Sequence, residues 1–278
     1  MEAMYQILNA LPFAPFQYEF MKNAFLAILF IAPVFALLGS MAVNNKMAFF
    51  SDALGHNAFT GIGLGILLGM DDPLLAMLAF GIFISLVITK VKAANLLSAD
   101  TVISVFSSTA MALGIVILSM RGGFAKYSNY LVGDILTVQK KDVLMMLGVL
   151  IGVYVLWVLL YNQLLMVSIN RSLASSRGIS VTLIENIYVV MLAVAVTVSI
   201  RCIGVLMINS LLILPAAAAR NVSPNNKIYH WLATAIALFS SMAGLFISYQ
   251  WSTSAGATMV LVAAVVFFIT YMIGKKRK

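Results

Sequence analysis

Charge is scarce in this chain. Only 9% of its 278 residues are Asp, Glu, Lys or Arg, against about 25% in soluble domains, while 63% are hydrophobic. That excludes an ordinary water-soluble globule. Cysteine is nearly absent as well. Cys202 stands alone, so there is no intrachain disulfide and no CxxC pair; it reads as a small apolar residue at a helix end. No GxxxxGK[ST] occurs, so any ATP chemistry must sit on another polypeptide. The seventeen Met form no tight cluster, which argues against a copper path. The first twenty residues lack a basic n-region and an early apolar core, so no cleavable signal peptide is read there.

What is present is long apolar runs. Mean hydropathy is +1.04, and apolar stretches near the length of a membrane crossing recur from end to end. The expected fold is therefore all-α: one polytopic transmembrane bundle over residues 1–278, with about nine helices. They are placed at about 19–43 (containing Pro33), 49–70, 73–92, 100–120, 143–167, two within 183–219, 229–249 and 255–273. Residues 183–219 would span roughly 55 Å as one helix, nearly twice a hydrocarbon core. A break is therefore placed at residues 201–204. Residues 121–142 are too short on apolar length to cross and read as a surface or re-entrant segment.

The net charge of +8 is dispersed over turns and the tail, so it does not point to nucleic acid. Eleven of the seventeen basic residues (Lys46, Lys90, Lys92, Arg171, Arg177, Arg220, Lys227 and the four of 275–278) fall on one side of a nine-helix topology. The positive-inside rule makes that side, with the C-terminus, cytoplasmic. Arg121, Lys126, Lys140 and Lys141 fall on the other side, against the rule.

One helix carries unusual residues. In residues 49–70, Asp52 and His56 are four apart, so they share a helical face about 6 Å apart along the axis. An ionisable group inside a membrane is costly and is a functional-site hypothesis by default. A carboxylate and an imidazole on adjacent turns make half of a divalent-cation site, which a two-fold partner would complete. The same pair also fits a structural Asp–His hydrogen bond. Thr60 and Gly63 continue that face. Gly61, Gly65 and Gly69 lie on the opposite face, at the spacing that lets a neighbouring membrane helix approach closely. Among other polar residues, Glu185 reads as favouring a helix N-terminus, Asp134 as a turn or capping residue, Asn209 as a helix–helix hydrogen bond, and His230 beside Trp231 as interfacial.

Four segments taken together resemble the membrane subunits of bacterial zinc and manganese ABC importers. They are residues 36–65, with Ser51-Asp52-Ala53-Leu54-Gly55-His56 at their centre; 130–137, YLVGDILT; 170–178, with Leu173-Ala174 and Arg177-Gly178; and 203–220, from Ile203-Gly204 to Pro215 and Arg220. A fifth, weaker match is 254–261. Members of that family often have Ser where Gly55 stands, an acidic residue at Asn170 or Arg171, and a proline at Ala255.

The resemblance implies a type II ABC importer permease in the bacterial plasma membrane that is not itself an enzyme. It implies a second permease protomer, a cytoplasmic ATP-binding subunit, an extracytoplasmic metal-binding protein and contact with membrane lipid. The cargo would be Zn²⁺ or Mn²⁺, with no permanently bound cofactor. Asp52 and His56 would line the ion path. The loop 168–182 would receive the ATPase through Leu173, Ala174, Arg177 and Gly178. Two rival readings are a permease for a metal chelate of siderophore or cobalamin type, marked by a wide uncharged cavity, and an ion-coupled secondary carrier, marked by an internal repeat.

Overall fold

The computed structural model describes residues 4–6, 14–94, 98–120, 130 and 133–275. The basic tail 276–278, residues 95–97 and most of the 121–132 stretch lie outside the described residues. Every regular element among those described is helical. The principal helices are α1 (Glu19–Asn44), α2 (Phe50–Leu67), α3 (Leu74–Ala93), α4 (Ala99–Met120), α5 (Lys140–Ile169), α6 (Arg171–Ser176), α7 (Val181–Ile203), α8 (Val205–Val222), α9 (Asn226–Trp251) and α10 (Ala255–Lys275). Short 3-10 turns occupy Ala14–Gln17 and Ile135–Thr137.

Seven of these helices (α1, α3, α4, α5, α7, α9 and α10) are long and apolar enough to cross a bilayer unaided. The other two of the expected nine, α2 and α8, are 18 residues each. At 1.5 Å per residue each spans about 27 Å. Most of α2 is buried among neighbouring helices, and α8 continues through Pro215 without a break.

The caps explain where the boundaries fall. α5 begins at Lys140 rather than near Val143, because the Asp142 carboxylate accepts the Gln139 backbone N–H at 2.9 Å and closes the first turn. α9 begins at Asn226 because the Asn225 side chain accepts the Ile228 N–H at 2.9 Å. The long apolar stretch 183–219 does break at Gly204, which has φ +86° and ends α7 while starting α8. A residue with a Cβ would be strained in that conformation.

The most buried of the seven long apolar helices are α1 and α7. α1 packs against α5, α8 and α9, and α7 against α3, α5 and α2. α2 lies between α3, α4 and α8, and α4 packs chiefly on α2 and, less closely, on α3. α2 and α4 run the same way, so their residues keep level with one another. Thr60 Oγ1 donates to the Ala110 carbonyl, Gly114 backs onto Phe59 and Thr60, and Gly63 faces Ile117. Gly61 packs on Met77 and Gly65 on Pro73 and Ala76 of the α3 side. Gly69 lies apart from this packing. It follows the end of α2 with φ +73°, and nothing stands within 4 Å of where its Cβ would be. It serves the turn into α3, because α2 stops before the third repeat of the glycine spacing.

One end of the bundle holds the start of α1, the turn into α3, the start of α5 and the turn into α10. Ion pairs from Lys140 to Glu19 (2.8 Å) and from Lys141 to Asp72 (4.0 Å) join three of these. Two of the basic residues that break the charge asymmetry are thus neutralised locally.

Glycine substitutions test the α2–α4 contact. A Cβ on Gly114 would stand 2.5 Å from the Thr60 nitrogen, so Gly114→Val is expected to destabilise by about 1–3 kcal/mol or more. Gly148 of α5 has open space around its Cα, so Gly148→Ala should be neutral or raise stability slightly. Thermal unfolding of the purified variants checks both; equal melting temperatures would contradict the close packing.

Candidate ion site and its relatives

Asp52 lies in the first turn of α2 and His56 one turn on. The imidazole Nε2 stands 3.4 Å from the Asp52 carboxylate, and both side chains are partly exposed. That distance is too long for a strong hydrogen bond, so the pair is not locked shut on itself. The side chains open into a cavity of about 340 Å³ between α2 and α4. Thr60 of the same face bonds to Ala110 of α4, so the cavity lies where α2 and α4 part toward their N-terminal ends.

The opposite wall of the cavity adds Asp100, Ser104, Ser107 and Ser108 of α4. The sequence reading used Asp100 only as a helix start. The available signal was Asp100, Ser104 and Ser108 at i, i+4 and i+8, a polar stripe on an otherwise apolar helix. Among the described residues no three His, Cys, Asp or Glu side chains come close enough to hold a metal ion together. One protomer therefore presents two adjacent donors and a more distant third carboxylate. His56 Nδ1 is buried with no hydrogen-bond partner.

The site is positioned by the broken helix. An ideal Cβ on Gly55 would meet Val205 Cγ1 at 2.7 Å, so α2 touches α8 at its first residue. One turn earlier on α2, Ser51 Oγ donates to Asn209 Oδ1 at 2.6 Å. Asn209 thus acts as a helix–helix hydrogen-bond partner. The α7–α8 joint therefore lies directly beyond the Asp52–His56 pair.

On the far side of the joint, Gly133 (φ +67°) lies against the backbone of Ile203 and Gly204. Asp134 accepts the Leu136 N–H at 2.9 Å and caps the 3-10 turn. Ile135 is buried, and Asn23 donates to the Val138 carbonyl at 3.0 Å. The described part of 121–142 is thus packed into the bundle at Gly133–Val138 rather than lying free on its surface. It covers the joint from the opposite end and floors a second cavity of about 320 Å³, lined by Asp134, Cys202, Thr253 and Ser254 among others.

The 168–182 loop forms the short helix α6, capped by Asn170 accepting the Leu173 N–H at 3.0 Å. Leu173 is exposed and Ala174 buried, while Gly178 adopts φ +77° with nothing around it. Glu185 does more than favour its own helix start. It pairs with Arg171 of α6 and lies 4.0 Å from Lys92 of α3, bracing the loop against two membrane helices. His230 is not interfacial in the sense expected. It is only 6% exposed, beneath Trp157 and Tyr161, because α5 lies across the start of α9.

Residues 17–274 match the model of the ABC 3 transport family. The chain belongs to that family. Among relatives of the ABC 3 chain, the manganese import system permease protein ScaB of Streptococcus gordonii is 28% identical over 94% of both chains. An uncharacterized membrane protein of Synechocystis is 32% identical over 97% of this chain and 93% of its own. The high-affinity zinc uptake system membrane protein ZnuB of Haemophilus influenzae is 28% identical over 91% and 97%. A solved structure, PsaBC from Streptococcus pneumoniae in complex with Fab, superposes with a TM-score of 0.81 at 28% identity, over 98% of this chain and 95% of that one.

The Gly55–Val205 contact can be tested in this ABC 3 chain. Gly55→Ser introduces the residue that the family resemblance associates with this position. It should destabilise by about 1–3 kcal/mol because Val205 fills the space, and Val205→Ala should recover most of that loss in the double variant. A double-mutant cycle on thermal stability measures the coupling; additive effects would place the two residues out of contact.

Proposed function

We propose that this chain is the membrane permease subunit of an ATP-driven importer of Mn²⁺ or Zn²⁺. One observation carries the proposal: a carboxylate and an imidazole, side by side, open into a polar cavity between two apolar helices. Oxygen and nitrogen donors suit both ions. Relatives named for manganese and zinc uptake support the choice of cargo.

Two donors bind a divalent ion weakly, which suits a conduit that must release what it holds. A second protomer facing α2 and α4 would double the donors to two Asp and two His. Two carboxylates would balance the charge of the ion in a low-dielectric setting. Asp100 and the α4 serines would receive the ion as it leaves toward the α2 N-terminal end. A chelate permease would need a wide uncharged cavity, whereas this one carries two carboxylates.

ATP hydrolysis belongs to a separate cytoplasmic subunit. Its contact is α6 with Leu173, Ala174, Arg177 and Gly178, on the side where the basic residues concentrate. Movement there reaches α3 and α7 through the Arg171–Glu185–Lys92 pairs. An extracytoplasmic binding protein would deliver the ion to the opposite mouth, near Asp134 and Thr253.

Asp52→Ala or His56→Ala should abolish radiolabelled Mn²⁺ or Zn²⁺ uptake in reconstituted vesicles while the complex still assembles. Normal uptake by both variants would remove the ion-site assignment. Arg177→Ala should leave ATPase activity in place but lower the number of ions moved per ATP hydrolysed. An unchanged ratio would move the ATPase contact elsewhere.

A further inference from the structure

Lys92 stands in the last turn of α3, with a side chain only 9% exposed. It reaches two other parts of the molecule. Its Nζ donates to Met47 Sδ at 3.3 Å and stands 4.0 Å from Glu185 Oε1 of α7. The same Oε1 accepts from Arg171 Nη2 of α6. One carboxylate oxygen therefore faces two cations, and Arg171 is the one hydrogen-bonded to it. At 4.0 Å the Lys92 ammonium is paired by charge but too far for a hydrogen bond. A thioether is a weak acceptor. Lys92 thus rests on its poorer partner while Arg171 occupies the better one.

Met47 leads directly to the ion helix. It is buried in the turn between α1 and α2. Its N–H donates to the Ala42 carbonyl at 2.9 Å, and its own carbonyl accepts the Phe50 N–H at 3.1 Å. Phe50 is the first residue of α2, and Asp52 lies in that first turn. The neighbouring Lys46 has φ +55°, a left-handed conformation that costs energy in a residue with a Cβ. The Lys92–Met47 contact ties this strained turn to the end of α3.

We propose that Lys92 is a positioning residue for the first turn of α2, switched by the Glu185 carboxylate that it shares with Arg171. The inference rests on the reading of α6 as the ATPase contact. When α6 moves and carries Arg171 away, Glu185 loses its hydrogen-bonded cation in a site where its side chain is only 14% exposed. A largely buried carboxylate left without a partner is costly, so the Lys92 ammonium closes the gap to Oε1. Nζ then leaves Met47 Sδ, and the strained turn and the Asp52 turn behind it are released. When α6 returns, Arg171 reclaims Oε1 and Lys92 goes back to the sulfur. Lys92 has two discrete arrangements, and both the α6 contact and the α2 start bias the choice, which is what coupling between separated sites requires.

Hydrogen–deuterium exchange read by mass spectrometry on the purified full chain tests the switch. No ATPase or metal is needed, so its failure is distinct from failure of the transport reading, which metal uptake decides. Arg171→Ala mimics withdrawal of α6, and Arg171 is half-exposed, so the variant should fold. It should speed exchange of the amides of residues 47–53 about threefold. In a Lys92→Met background the same substitution should leave those amides unchanged relative to Lys92→Met alone. A Glu185→Gln background should do likewise, and it decides the matter if Lys92→Met does not fold. A local brace would give neither dependence. An Arg171→Ala effect confined to residues 170–185 would overturn the switch, as would an equal rise at residues 47–53 in either background.

Discussion

Backbone-close packing around α2 is the constraint from which the rest of the molecule follows. Gly61 and Gly65 let α3 approach on one side, and Gly114 of α4 meets Phe59 and Thr60 on another. Gly55 admits Val205 of α8 on a third. In a membrane, helices gain little from apolar contact with one another, so close approach through small residues supplies the holding energy. Three sides are used up in this way. Asp52 and His56 lie on the α4-facing side, two turns and one turn before Thr60, where α2 and α4 part and leave a cavity.

The broken α7–α8 helix has to be enclosed for a related reason. A joint inside the hydrocarbon region exposes backbone groups that lipid cannot satisfy, so non-helical backbone is tolerated there only when protein or a cavity covers it. Gly133 and the turn after it lie on Ile203 and Gly204 from one end, and Gly55 and Ser51 reach Val205 and Asn209 from the other. One cavity adjoins the joint beside the turn at Gly133–Leu136, and a second holds the Asp–His pair between α2 and α4.

Much of this was legible from composition and period. A largely apolar stretch of 37 residues is too long for one crossing, and the break fell at Gly204 because only glycine takes that φ cheaply. The i, i+4 spacing put Asp52 and His56 on one face. Other features depended on which helices became neighbours. Gly69 fits the glycine spacing, but the helix had already ended. Glu185 looked like a residue at its own helix start, and its partners Arg171 and Lys92 come from elements distant in sequence. His230 looked interfacial beside Trp231, yet α5 lies over one and leaves the other exposed. Asp100 drew no attention because its cavity exists only once α4 runs alongside α2.

The sequence by itself determined that the chain lives in a membrane, roughly how many helices it has and which helix bears the charged pair. Those properties depend on local composition and on a periodicity that any stretch of helix obeys. Tertiary structure alone decided where α2 and α4 part, what covers the broken helix and which polar groups share a cavity. Lipid treats all apolar faces alike, so only the fit of small residues against particular backbones selects each helix's neighbours.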